Sequence, residues 1–221
     1  MKVIITGATG MVGKGVLLEC LDHEKVEQVL VIGRNPVGMQ HPKLKELIHK
    51  DFSDFSSVKD GLKNYDACFY CMGLSSVGMN EDDYKHVTYN FAMALANVLV
   101  SNNPQMTFNY VSGAGTDSSE KGRQMWARVK GKTENDIIKA GFRQSFMFRP
   151  GAIIPLKGIK SRTKSYQFMY DYFMWAVKLM KAIAPNSVVT TTQVGLAMVN
   201  SVLNGYSKEI LQSKDIIALS Q

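Results

Sequence analysis

Three evenly spaced glycines, Gly7, Gly10 and Gly13, follow the β-branched run "KVIIT" and lead into a helical pattern. Strand, glycine loop and helix, in that order, constrain the fold more than any other stretch of the chain. An all-apolar strand of this kind belongs in a parallel sheet buried on both faces. Gly7 permits a tight turn, Gly10 lets backbone approach a pyrophosphate, and Gly13 lets the helix pack close to the sheet. The start of the helix supplies unpaired N–H groups and a partial positive charge for phosphates.

The same rhythm continues. Residues 11–22 read as a helix, "QVLVIGR" as a second strand and "KELIHKDF" as a third. "SDFSSVKDGLKN" reads as helical, with Ser53 or Asp54 as N-cap. "DACFYCMG" is a fourth strand, residues 81–101 a long helix, and "QMTFNYVS" a fifth strand. A helix over about 121–140 ends at Gly141, and "SFMFRPG" is a sixth strand. This alternation predicts an α/β fold: a doubly wound parallel sheet with helices on both faces, Rossmann-like. Such sheets bind ligands outside the carboxyl ends of their strands.

After Gly151 the rhythm changes. "SVVT" reads as a short strand, "TQVGLAMVNSVL" as a helix and "SKDIIALS" as another. Residues 166–184 are rich in aromatics and methionine and leave two readings open. One is a helix packed beside a cleft; the other is an amphipathic segment closing over a substrate or docking on a partner or lipid surface. With no linker and no repeat, residues 152–221 are expected to be a small C-terminal elaboration of one domain spanning 1–221.

Apolar residues make up 45% of the chain and charged residues 20%, which predicts a packed core over disorder. The net charge of +7 has two readings, an anionic partner or a lysine-rich solvated surface. No dense basic block is present, so no nucleic-acid partner is expected. Cys68 and Cys71 form C-x-x-C, but on a strand residues i and i+3 point to opposite faces, which argues against a redox or metal pair. "KVIITG" is too short for a signal-peptide core, and no run of 18 uncharged apolar residues occurs. A cytoplasmic protein is expected.

The spacing G-x-x-G-x-x-G in "TGATGMVG" resembles the short-chain dehydrogenase/reductase superfamily, in its extended and atypical branches. The resemblance runs on through "VIGR", "KDFSD", "CMG", "YVSGAGTD", "VKGKTE" and "FRPGAII". It is strongest to the small atypical members related to Tat-interacting protein 30, often labelled nucleoside-diphosphate-sugar epimerases. It implies an NAD(P)-binding domain whose phosphate loop takes in Gly7, Thr9, Gly10, Met11, Val12 and Gly13. Arg34 stands where an acidic residue would bind the ribose hydroxyls of NAD; an arginine there pairs with a 2′-phosphate, so NADP is implied over NAD. A surface arginine is the other reading. Asp51 and Phe52 match the pair that contacts adenine, and Asp51 also fits a plain turn. Met72 and Gly73 are implied near the nicotinamide ribose, and Pro150 and Gly151 near the carboxamide.

In that family the helix after strand five carries Tyr-x-x-x-Lys, and the lysine's charge lowers the tyrosine's pKa for proton transfer. Here Lys130 is present, but Trp126 stands four residues before it. An indole N–H donates a hydrogen bond and releases no proton near neutral pH. The family's working serine is replaced by Gly113, and Ser112, one residue short, is expected to face the other way. Asn90 resembles the active-site asparagine that orders a water; Tyr84, Tyr89, Tyr110, Tyr166 and Tyr170 are candidates by residue type alone. Two functional readings follow. One is an NADP-dependent oxidoreductase or epimerase on a small carbonyl, alcohol or nucleotide-sugar. The other is a catalytically weak cofactor-dependent sensor or scaffold with a protein partner. A homodimer fits either.

Overall fold

Burial alternates along the central strands in a way that sorts their side chains into two cores. Val3, Ile5, Val29, Val31, Phe69, Phe146 and Phe148 face one side; Ile4, Leu30, Ile32, Cys68, Tyr70, Phe108 and Met147 face the other. These strands are β1 (Lys2–Thr6), β2 (Gln28–Gly33), β4 (Ala67–Tyr70), β5 (Thr107–Val111) and β6 (Gln144–Arg149). The edge strand β3 is Leu44–Ile48, and β9 (Ile210–Gln212) closes the other side. All pairings are parallel, in the order β3-β2-β1-β4-β5-β6-β9. This computed structural model describes residues 1–159 and 185–221.

The first core is covered by α1 (Met11–Asp22), α5 (Thr191–Asn204) and α6 (Ser213–Leu219). α1 and α5 approach closely because glycines meet at the crossing: a Cβ on Gly195 would lie 2.6 Å from Glu19 Cγ. α5 starts at a capping box, with Thr190 Oγ1 accepting from Gln193 N at 3.1 Å and Gln193 Oε1 accepting from Thr190 N at 3.0 Å. The second core is covered by α3 (Phe91–Asn102), α4 (Met125–Lys139) and a short 3₁₀ stretch, Ser56–Leu62. A separate two-stranded ribbon pairs β7 (Ala152–Ile154) with β8 (Val188–Thr190).

The doubly wound parallel sheet is as expected, with local differences. The long helix is α2 (Glu81–Lys85), a π turn at His86–Asn90, and then α3. The "SDFSSVKDGLKN" stretch forms 3₁₀ helix whose N-cap is Phe55, without a side-chain cap, and not Ser53 or Asp54; Asp54, one residue earlier, accepts from Ser56 N at 2.8 Å. α4 begins at Met125, later than the pattern suggested, and Gly141 lies just past its end with φ +95°. β7 and β9, three residues each, are additional strands that the sequence does not mark. The aromatic segment 166–184 lies outside the described residues, as do Tyr166 and Tyr170. Among the described residues no helix is long and apolar enough to cross a membrane.

Candidate functional site

The chain order reverses at β1, whose neighbours are β2 on one side and β4 on the other, and the loops leaving β1 and β4 part there. Gly7 makes the turn out of β1 at φ +70°, and a Cβ there would sit 2.7 Å from the backbone of Cys71 and Met72. Only glycine fits both the dihedral and the gap. Gly10 N donates to Gly7 O at 2.9 Å and Gly10 caps α1 with backbone alone; no side chain caps this helix and no acid occupies its first turn. Its opening N–H groups therefore keep their positive field. Gly13 is not in the cavity wall: it lies under the loop, where a Cβ would come within 2.3 Å of Gly7 O.

A cavity of about 970 Å³ lies along the carboxyl ends of the strands. One end takes in Gly7, Thr9, Gly10, Met11, Val12 and Arg34; beyond them come Met72 and Gly73, then Pro150 and Gly151. Among the described residues its charged lining groups are Arg34 and Lys130, with no carboxylate. Such a wall suits an anionic, elongated ligand, and the glycine cradle fits a dinucleotide's pyrophosphate.

The far end is built by α4. Trp126 and Lys130 stand one turn apart on the same face and both line the cavity. The Trp126 indole lies over Gly115, where a methyl group would touch the ring at 3.4 Å. Lys130 Nζ donates to the carbonyl of Ser112 at 2.5 Å. Burial pulls its pKa down to about 8, against the opposing pull of Glu134.

Ser112 is buried, and its hydroxyl donates to Glu134 Oε1 at 2.5 Å, with the Phe148 carbonyl 3.2 Å away. It lies just past β5 and lines the cavity while its hydroxyl points to α4, and Gly113 occupies the next place at φ +152°.

Other expected residues lie elsewhere. Asn90 sits exposed in the π turn, its Nδ2 3.4 Å from His86 Nδ1, outside the cavity wall. The extra residue in that turn changes the face it occupies relative to an unbroken helix. Asp51 accepts from Ser53 N at 2.9 Å in an Asx turn, and Phe52 is buried against Phe55 at 5.5 Å. Neither lines the cavity. Conversely, Tyr84, Cys71 and the loop of Leu74, Ser75, Ser76 and Val77 do line it. Tyr84 carried only its residue type as a signal. Cys71 and Cys68 belong to opposite cores, and among the described residues no group of three or more metal-ligating side chains assembles.

Comparison with known proteins fits this geometry. The chain is 23% identical to Protein HTATIP2 of Rattus norvegicus, over all of this chain and 89% of that protein. It is 27% identical to the mitochondrial protein FMP52 of Debaryomyces hansenii, over 70% of this chain and 67% of the relative. That mitochondrial relative lends no support to the expected cytoplasmic location. In fold it resembles the Bordetella bronchiseptica enzyme WbmF in complex with NAD+, at TM-score 0.70 and 13% identity, covering 98% of this chain and 76% of that one. It likewise resembles the UDP-N-acetylglucosamine 4-epimerase of Methanobrevibacter ruminantium, at TM-score 0.70 and 15% identity, over 96% and 75%. Residues 3–123, more than half the chain, match one family along the strand–glycine loop–helix and the strands that follow, and the chain belongs to it: the NAD dependent epimerase/dehydratase family.

Proposed function

We propose that the chain binds NADP(H) along this cavity and acts as an oxidoreductase or epimerase on a small carbonyl, an alcohol or a nucleotide-sugar. One observation carries the reading: the side-chain-free start of α1, Arg34 and Lys130 border a single cavity with no carboxylate among its described lining residues. Gly7, Thr9, Gly10, Met11 and Val12 hold the diphosphate, and Arg34 pairs with the 2′-phosphate. Lys130 holds the ribose hydroxyls on the nicotinamide side, Met72 and Gly73 flank that ribose, and Pro150 and Gly151 meet the carboxamide. Asp51, Phe52 and Asn90 enter from the family resemblance alone.

The cofactor supplies a hydride. Trp126 shapes the pocket, and Lys130, with its pKa near 8, can give up a proton near neutral pH. Residues 152–221 form the substrate-side or partner-side part of the same domain.

The test is calorimetric titration with NADPH and NADH of wild type and Arg34→Ala. Tighter binding of NADPH than NADH, lost in the variant, supports the reading. No heat with either cofactor overturns it.

A second reading is favoured by Trp126 and by the Ser112 hydroxyl turned toward Glu134. In it the chain binds cofactor without turnover and signals to a protein partner. NADPH oxidation against a panel of carbonyls, with Trp126→Tyr beside wild type, separates the two. Turnover by wild type sinks the sensor; activity gained only in the variant supports it.

A further inference from the structure

Behind Lys130 a polar chain runs through the interior. Arg149, on β6, grips the Glu134 carboxylate with Nε at 3.0 and 3.1 Å from its two oxygens and adds a bond from Nη2. Arg149 Nη2 also donates to Ser118 Oγ at 2.5 Å. Glu134 is fully buried. A carboxylate only accepts, so the Ser112 hydroxyl spends its single hydrogen on Glu134. The Ser112 carbonyl in turn holds Lys130 Nζ. The chain Arg149–Glu134–Ser112–Lys130 thus ends at the cavity wall and ties β6 and the residue after β5 to α4, which carries both Glu134 and Lys130.

We propose that Glu134 and Ser112 are positioning residues for Lys130: Arg149 fixes the Glu134 carboxylate, Glu134 fixes Ser112, and the Ser112 carbonyl fixes the ammonium at the cavity. Ser112, one residue before Gly113 at the family's serine position, turns its hydroxyl to Glu134, where it orients the lysine's anchor. Glu134 also has an electrostatic effect. Its negative charge favours the charged form of Lys130 against the desolvation that disfavours it. Among the described residues, the other titratable or charged groups near Lys130 are Arg149 behind Glu134, and Tyr84 and Cys71 on the shared cavity wall; Arg34 stands at the other end of the cavity. Removing the carboxylate leaves desolvation, which favours neutral lysine.

The inference rests on the cofactor reading only for what Lys130 holds; its geometry is tested without cofactor. In the full chain labelled with [13C]lysine, the Lys130 signal is assigned with Lys130→Arg and titrated by NMR. The titration midpoint is expected to fall below the wild-type value in Glu134→Gln, to lie nearer wild type in Glu134→Asp, and to fall in Ser112→Ala. In Ser112→Ala, NADPH affinity is expected to drop about 3- to 10-fold, the worth of one hydrogen bond. A merely structural role would lower the melting temperature and leave the midpoint in place. An unchanged midpoint in folded variants overturns the proposal. If Glu134→Gln does not fold, Ser112→Ala decides alone, because it leaves the Glu134–Arg149 pair intact. If Lys130→Ala binds NADPH as tightly as wild type, the cofactor role of Lys130 fails, and the NMR midpoint still judges the positioning chain.

Discussion

The two ends of the cavity follow different rules. At the glycine loop, backbone forms the wall: Gly7 and Gly10 leave the start of α1 open, and no side chain caps it. At the α4 end, polar side chains line the wall and bond to the protein itself. Lys130 holds the Ser112 carbonyl, and the Ser112 hydroxyl holds Glu134. The first end has a helix start that no side chain caps and suits binding. The second has its hydrogen bonds already made, and Trp126 stands one turn before Lys130 on its wall. In the proposed function, binding depends on backbone shape and chemistry on two side chains, so the two are separable.

The hardest blow to the binding end is Gly7→Ala. A positive φ in a non-glycine residue costs about 1–3 kcal/mol, and the new methyl also overlaps the Cys71 backbone. NADPH affinity by calorimetry is expected to fall about 100-fold or more, with a melting temperature several degrees lower. If binding survives, the glycine loop is not the cradle, and the contrast between the ends breaks.

Arg34→Ala comes next. Losing charge-assisted bonds to a 2′-phosphate is expected to weaken NADPH about 10- to 100-fold and leave NADH nearly unchanged. Equal losses for both cofactors would make Arg34 a general cation and remove the preference.

The effect of pH tests the α4 end. The charged form of Lys130 is lost as pH rises through about 8, so NADPH affinity is expected to fall about tenfold from pH 7 to 9. Lys130→Met is expected to flatten that profile. Stability moves the opposite way. The folded pKa lies below the ordinary lysine value, so the unfolded chain holds more protons between about 8 and 10.5. This group's contribution to stability without cofactor is expected to rise across that window.

The smallest effect on binding is expected from Trp126→Tyr, a change of about threefold at most in NADPH affinity. A larger loss would make the indole part of the cofactor site and blur the two ends into one.

How much of this was readable in advance differs by residue. The doubly wound sheet, the loop at Gly7 and Gly10, and the shared face of Trp126 and Lys130 follow from spacing, because dihedral preference and periodicity are local. Asn90 and Asp51 did not behave as the resemblance implied: a π turn moves one and an Asx turn occupies the other. The pair of Glu134 with Arg149, the seat of Tyr84 in the wall and the seventh strand came only from the packed structure. A carboxylate and a guanidinium 15 residues apart look like surface charge in a sequence. Whether they meet in water or in the interior is decided by how a helix lies on a sheet, and no local pattern carries that information.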